Sequence, residues 1–450
     1  MNEEEAWRYA DELRDRVRPP DFPDRWFDVT AFGPDVTTAD PDVGDPDGPS
    51  GPGERWTEAF RAAIEACHEA GGGHVRVPPG TYLTGAIHLR SNVDLHIEAD
   101  ATILFSTDPA DYLPAVYTRF SAIECYNYSP FVYAYGQENI AITGEGVLDG
   151  GAGPEHWWPW VGTPEFGYRE GMPHEADDWA ELQRMAADGV PVEERVFGAG
   201  HYLRPNLIQP YLCRNVLVEG VRIVRSPMWE IHPVRCENVL VRNVSIYSRG
   251  PNNDGCDPES CRSVVISGCV FDVGDDCIAI KAGRGPDGRR VGVPCEDVLI
   301  EDCDMRYRYG SVAIGTDTTG GIRNVFVRRC RWGGPGLYFG LYIKTNSVRG
   351  GFVENVFVKD VEISELTKEA VSIDLYHGDG HNGDDPPPIR NIHVADVRSD
   401  RTRSAYLLRG YPEQPLREIT IKGSSFARVQ RADVVSDVER FSVTDVTIGT

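Results

Sequence analysis

Three carboxylates lie close together in this chain. The run Asn252-Asn253-Asp254-Gly255-Cys256-Asp257-Pro258 is followed by Gly274-Asp275-Asp276-Cys277, inside a pattern of alternating apolar residues. Asp254 and Asp275 are 21 residues apart, the length of one coil of a strand solenoid, which stacks them roughly 5 Å apart. Such a pair hydrolyses a glycosidic bond: one carboxylic acid protonates the leaving oxygen, and the other group activates water or attacks. Adjacent residues of a regular strand face opposite ways, so Asp275 and Asp276 share one cleft only where the chain bends. Gly274 supplies backbone freedom for that bend. Three crowded carboxylates cannot all be charged cheaply, so one pKa should rise toward the range of a proton donor working near neutrality. The competing reading is an acidic turn on an acidic protein.

A repeat must hold these side chains. From Asn139 onward a polar residue is followed by alternating apolar positions, as in Asn215-Val216-Leu217-Val218-Glu219, Asn238-Val239-Leu240-Val241-Arg242 and Asn355-Val356-Phe357-Val358-Lys359. Further copies start at Ser263, Asp297, Asn324, Asn391, Glu418 and Phe441. Spacings of 23 to 36 residues from Asn215 suit coils of two or three short strands, whereas a β-propeller needs about 40–45 residues per blade. Asn at one repeat position can hydrogen-bond along the solenoid axis. Trp56–Ala70 has helical spacing ended by Gly71-Gly72-Gly73, and a helix there would cover the open end of the solenoid. The first 18 residues are also helix-like until Pro19, Pro20 and Pro23, and residues 34–53, rich in Asp, Gly and Pro, read as a loop. Residues 151–205 interrupt the repeat with Trp157-Trp158-Pro159-Trp160 and a helical stretch, Asp177–Ala187. Such an insertion either narrows a cleft into a pocket, favouring attack on chain ends, or is a packing flap. The expectation is one domain over 1–450, with an N-terminal extension and capping helix over 1–75 and coils over 76–450.

Composition restricts the partners. Hydrophobic residues make up 41% and charged residues 26% of 450, which suits a sizeable core, and no stretch is apolar enough to span a membrane. The net charge of −25 repels nucleic acid and anionic lipid. Only five of the 45 basic residues are Lys, at 281, 344, 359, 368 and 422, and high acidity with few Lys fits adaptation to high salt. Met1-Asn2-Glu3-Glu4-Glu5 lacks the basic and apolar regions of a secretory signal, so a cytoplasmic protein is expected. Its eleven cysteines then read as reduced thiols, with Cys269, Cys303 and Cys330 forming a buried ladder. No Cys-x-x-Cys pair marks a metal site, and no cofactor is expected. The oligomeric state is not readable from the sequence.

The chain resembles glycoside hydrolase family 28, the polygalacturonase family. The resemblance runs from Thr57-Glu58-Ala59-Phe60, Val77-Pro78-Pro79-Gly80-Thr81-Tyr82 and Phe105-Ser106-Thr107-Asp108 through Gly146-Val147-Leu148-Asp149-Gly150 and Ser226-Pro227-Met228-Trp229 to its densest part, Asn252–Lys281. It implies an all-β, right-handed, single-stranded parallel β-helix with an N-terminal helical cap. It also implies hydrolysis with inversion of galacturonic acid-containing oligosaccharides, and the insertion adds the expectation of attack from chain ends. By resemblance Asp275 is the general acid, Asp254 and Asp276 hold and activate the water, and Asn252 lines the subsite before the cleaved bond.

Two positions depart from the family pattern. Where a Gly-His-Gly is usual, this chain has Tyr309-Gly310-Ser311, with the His replaced by Tyr309 or, in another alignment, by Gly310. Where Arg-Ile-Lys is usual, it has Tyr342-Ile343-Lys344. Lys344 is kept for substrate binding, but a phenol cannot give a uronate carboxylate the two-point contact of an Arg. The leaving-group subsite is therefore open to a neutral sugar or a modified uronic acid. Asp317, just past a strand end, is a candidate contact to a sugar hydroxyl, with a turn-stabilising role as the competing reading, and Tyr376 is a candidate stacking platform. His377–Asp385 looks like a metal loop but lacks the EF-hand spacing. Trp229 and His232 read as core or groove wall. Two other readings stand beside hydrolysis: a pectate-type lyase with Ca²⁺ on the three aspartates, and a silent carbohydrate-binding solenoid.

Overall fold

The computed structural model describes residues 1–33 and 54–449, so the loop expected over 34–53 lies outside the described residues. The repeat becomes a right-handed parallel β-helix. A long parallel sheet takes one or two strands from each coil, such as Arg214–Glu219, Glu237–Arg242 and Arg262–Ser267, paired in register. A six-stranded parallel sheet, Ile278–Ile280, Gly310–Gly315, Phe339–Lys344, Glu369–Asp374, Ser404–Arg409 and Val434–Ser436, forms a second wall. Single bridges Ile208↔Ile231↔Cys256↔Ile278 extend it back by three coils.

Register explains why these strands are apolar on both faces. Val216, Val239, Val264, Val298, Val325 and Val356 stack in one inward row of the core. Their neighbours Leu217, Leu240, Val265, Leu299, Phe326 and Phe357 point the other way, and helix α1 (Glu3–Arg16) covers them with Ala6, Ala10 and Leu13. Asn2 starts α1 with a capping box closed by Glu5. Helix α2 (Glu54–Glu69) is the end cap expected from Trp56–Ala70, inserting Ala59, Phe60, Ala63, Ile64 and Cys67 into the core. The strand Trp26–Asp28, between the two helices, pairs with Gly73–Val77.

The asparagine ladder is present. Asn215, Asn238 and Asn355 sit at φ of 56°, 56° and 59°, a left-handed conformation that Asn tolerates. Their amides donate to the preceding coil: Asn139 to Asn92 at 2.9 Å, Asn215 to Asn139 at 2.8 Å, Asn238 to Asn215 at 3.1 Å and Asn355 to Asn324 at 2.9 Å. In the last coil the equivalent residue is Arg440, not Phe441, because Ile419 pairs with Phe441 and so Glu418 aligns with Arg440. The pattern slips there because no Asn marks the position. All eleven cysteines are free and buried. Besides the expected ladder a second runs through Cys213, Cys236 and Cys261, each backbone N–H donating to the next sulfur at 3.4 Å.

The interruption at 151–205 folds as short 3-10 turns, helix α3 (Ala176–Ala187) and a strand, Val196–Phe197. That strand joins a β-hairpin, Val116–Phe120 with Ile123–Asn127, which the repeat pattern does not reveal. Phe120, Ile123, Cys125, Leu182, Ala186, Phe197 and Leu203 give the two excursions a shared small core against Met228 and Trp229.

Candidate active site

The carboxylates lie at the entry edge of the six-stranded wall. Cys256 bridges Ile278, so Asp254 lies in register with Asp276, and Asp275 sits one place before. This coil is one residue longer than the Asp254–Asp275 spacing, so the stacking expected for that pair passes to Asp276. All three still converge, one oxygen from each lying within 4.8 Å of the others. Asp254 and Asp276 are buried, while Asp275 keeps part of its surface open to the groove. The chain bends at Gly274 and Asp275 as expected, and Gly274 is also needed for closeness, since a Cβ there would meet the Gly250 carbonyl oxygen at 2.0 Å. Gly310 has the same reason: its N–H donates to Asp276 Oδ1 at 2.8 Å, and a Cβ would lie 2.9 Å from that oxygen.

Two lysines balance these charges. Lys344 Nζ lies 2.7 Å from Asp276 Oδ2, and Lys281 Nζ lies 3.5 Å from Asp254 Oδ2 and 3.3 Å from Asp257 Oδ2. Burial, then the charges of Asp254 and Asp276, push the Asp275 pKa well above the usual carboxylate range. Burial and then Asp257 do the same to Asp254. Burial raises Asp257 to about 7, with Lys281 pulling the other way. Burial alone would lower both lysines, but the neighbouring carboxylates outweigh it and raise them. Asp276, with both oxygens engaged, suits holding a water; Asp275, its pKa raised and its surface partly open, suits giving a proton. Three carboxylates this close could in principle ligate a cation, but two ammonium groups already occupy them, which disfavours a Ca²⁺-dependent lyase.

The remaining sequence candidates separate. Asn252 is half-buried at the groove edge, its Oδ1 accepting from Arg204 at 2.8 Å, and Arg204 is held by Glu175 at the start of α3. The backbone N–H of Tyr309 donates to the Asp275 carbonyl at 3.3 Å, and its ring packs edge-on to Tyr338, so it stands beside the acid. Tyr342 stacks on Phe339 at 3.9 Å, sits under Lys344 Nζ at 4.9 Å, and its hydroxyl meets His377 Nδ1 at 3.1 Å. Asp317 does not fit a sugar contact: it is 3% exposed and accepts from Arg284 Nε at 2.6 Å. Tyr376 does not offer a free ring either, because Arg409 lies 4.9 Å over it and Tyr411 packs against its edge. The 377–385 loop is tied down by Arg289–Asp385 and Arg349–Asp379 ion pairs. Trp229 is a wall residue under Lys281, and His232 is buried against Glu259 at 2.8 Å, as expected of non-catalytic positions.

The hairpin closes the groove on the side of the earlier coils. Arg119, from Val116–Phe120, reaches across the wall to Glu259 and Glu124, with Glu124 Oε1 at 3.2 Å and the Tyr211 hydroxyl at 3.2 Å from it. Gln209, His232 and Glu259, which would line an open groove, are each 0% exposed. Glu124 N–H donates to Asp287 at 2.9 Å in helix α4 (Gly285–Val291), and Arg195 pairs with Asp287 at 2.8 Å. Hairpin, insertion and α4 thus form one barrier beside the aspartates. Sequence reasoning credited the insertion alone; the hairpin went unseen because its residues resemble another coil. Arg204, Arg284 and Arg349 were also missed, since each lies in a loop with no pattern of its own.

A blocked β-helix groove with clustered aspartates and lysines at its closed end defines a carbohydrate-active solenoid enzyme. The model of glycosyl hydrolases family 28 matches residues 199–443, and the chain belongs to that family. It is similar to the crystal structure of a hyperthermoactive exopolygalacturonase from Thermotoga maritima, with 42% identity, a TM-score of 0.91, and coverage of 99% of this chain and 96% of that one. It is also similar to a probable polygalacturonase of Vitis vinifera, 27% identical over 405 residues, 86% of this chain and 74% of that protein. An exo-poly-alpha-D-galacturonosidase of Dickeya chrysanthemi is 25% identical over 353 residues, 74% of this chain and 56% of that protein. No helix among the described residues is long and apolar enough to cross a membrane.

Proposed function

We propose that the protein removes terminal residues from galacturonic acid-containing oligosaccharides by single displacement with inversion. The observation that carries the reading is the barrier of hairpin, insertion and α4, which covers Gln209, His232 and Glu259 on the coils that precede Asp275 and Asp276, a closure on one side that favours a chain end over a chain passing through. Asp275 protonates the leaving oxygen, and Asp254 and Asp276 orient and activate the water. Their separation is shorter than the about 6.5–9.5 Å usual for inverting pairs and closer to the about 5–5.5 Å of retaining ones. Inversion is the mechanism general to the family, and Lys344 and the Gly310 N–H fix the Asp276 carboxylate while leaving it lone pairs to hold a water. Relatives described as polygalacturonases and exopolygalacturonases support the substrate class.

Proton NMR of purified protein with oligogalacturonides of defined length tests all three parts. The expected early spectrum contains monogalacturonate of the anomer opposite to the substrate linkage. The same anomer as the substrate would overturn inversion, oligomers of mixed length would overturn end-attack, and silence would overturn the substrate class.

A further inference from the structure

The family's Arg is missing at Tyr342, yet the groove contains a guanidinium pair elsewhere. Arg284 follows the strand that ends at Lys281, and Arg349 follows the strand that ends at Lys344. Lys281, Gly315 and Lys344 share one register row, so the two arginines lie together a few residues beyond it, at the exit edge of the wall. Their side chains are 19% and 16% exposed, open to the groove but mostly desolvated.

The two arginines are not equally satisfied. Asp317, buried between them, accepts from Arg284 at 2.6 Å but stands 3.7 Å from Arg349 Nε. Arg349 has one other anionic neighbour, Asp379, at 3.3 Å on a half-exposed loop. Its Nε is buried with no hydrogen-bond partner, a costly state for a charged donor. The pair is also well fixed: Arg284 packs over Trp179 of α3 at 4.9 Å, and Asp317 holds both arginines from beneath. A fixed guanidinium pair that keeps part of its surface exposed, with one buried carboxylate that already serves Arg284 and only the half-exposed Asp379 beside Arg349, is a receptor for a further planar anion.

We propose that Arg284 and Arg349 form a carboxylate-binding subsite that takes a uronate of the substrate, replacing the two-point recognition lost at Tyr342. Asp317 is then a positioning residue rather than a sugar contact. With Lys281 and Lys344, the arginines give a protein of net charge −25 a local cationic patch for an anionic sugar. The inference rests on the galacturonide reading above.

The test compares an oligogalacturonide with its methyl ester, for wild type, Arg349→Gln and Arg349→Lys. Arg349→Gln should raise KM for the free acid at least tenfold, change kcat less than threefold, and change KM for the ester less than twofold. Arg349→Lys should fall between, having the charge but not the fork. Wild-type turnover of neither substrate overturns the functional reading itself. An active wild type with an unchanged free-acid KM in Arg349→Gln overturns only the subsite. Equal losses on acid and ester, or a drop in kcat alone, would mark a packing role and overturn it too. If Arg349→Gln does not fold, the acid-to-ester ratio of Arg349→Lys decides: a ratio equal to that of wild type overturns the subsite.

Discussion

Replacing Arg119 by Met tests the barrier that closes the groove. Arg119 is the one cation touching both Glu259 and Glu124, and all three side chains are at most 2% exposed. Burial raises the pKa of each glutamate, but Arg119 and hydrogen-bonding neighbours more than reverse this, bringing both from an ordinary 4.5 to about 2. A carboxylate whose folded pKa is depressed adds stability above its unfolded pKa and loses it as the pH falls toward the folded value. A drop of about 2.5 units gives ~3.4 kcal/mol per glutamate at pH 7, and ~1.4 kcal/mol at pH 3. Tyr211, His232 and Arg290 share this stabilisation, so the full sum does not fall on one residue. Breaking a buried pair by removing one partner costs ~3–5 kcal/mol.

Arg119→Met should therefore be ~3–5 kcal/mol less stable at pH 7 and only ~1–2 kcal/mol less stable at pH 3, by the same pKa arithmetic. Denaturant unfolding at the two pH values measures it. A difference below ~1 kcal/mol at pH 7, the ordinary range for an exposed pair, would mean that the hairpin is not held by this network. An equal difference at both pH values would mean that Arg119 acts through packing and not through charge.

Three further outcomes are expected. The raised Asp275 pKa means that the proton donor is lost as pH rises through its folded value, so kcat should fall on the alkaline side, and Asp275→Asn should lose about a thousandfold or more at every pH; activity near wild type in that variant removes Asp275 from the mechanism. Deleting residues 1–18 should expose Leu217, Leu240, Leu299, Phe326 and Phe357, lowering stability by at least ~3 kcal/mol and raising binding of a hydrophobic dye; unchanged unfolding would show that α1 is not needed to cover that face. We propose salt adaptation from the charge of −25, so turnover of an anionic oligosaccharide should increase from low to molar salt, and a flat or falling profile counts against it.

The solenoid is legible because its rule is local and repeated. A polar left-handed residue such as Asn238, followed by Val239 and Val241 inward, needs no distant partner to be recognised. The aspartates are legible for the same reason, since one coil length separates them. What escapes is whatever leaves the repeat and meets the chain again far away. Arg119 and Glu259 are 140 residues apart, and Arg204 reaches Asn252 across 48. Asp317 was ambiguous for the same reason: its place just past a strand end allowed either a sugar contact or a structural role, and Arg284 from the preceding coil decides for the second. The scarcity of Lys has a structural side as well. Arg242–Glu219, Arg249–Asp272 and Arg409–Asp374 each bridge neighbouring coils through two guanidinium contacts, a geometry that Lys cannot supply. Two of the five Lys, 281 and 344, stand among the site carboxylates instead, where a compact charge is what is needed.

A parallel β-helix also sets how such a site changes. Each coil places one residue in each register row, so Asp257, Ala279, Ala313 and Tyr342 follow one another across the groove floor. The two alanines leave space above the wall, with carboxylates along its entry edge and Lys281 and Lys344 beyond. Exchanging one residue of a row alters one subsite and leaves the coil intact, because the inward rows that hold the core are untouched. Tyr342 fits that logic: on the outer row, stacked on Phe339 and hydrogen-bonded to His377, it costs the fold nothing. The recognition it no longer provides has to come from another coil at the same groove, and Arg284 and Arg349, partly exposed guanidinium groups a few residues beyond Lys281 and Lys344, are placed to supply it.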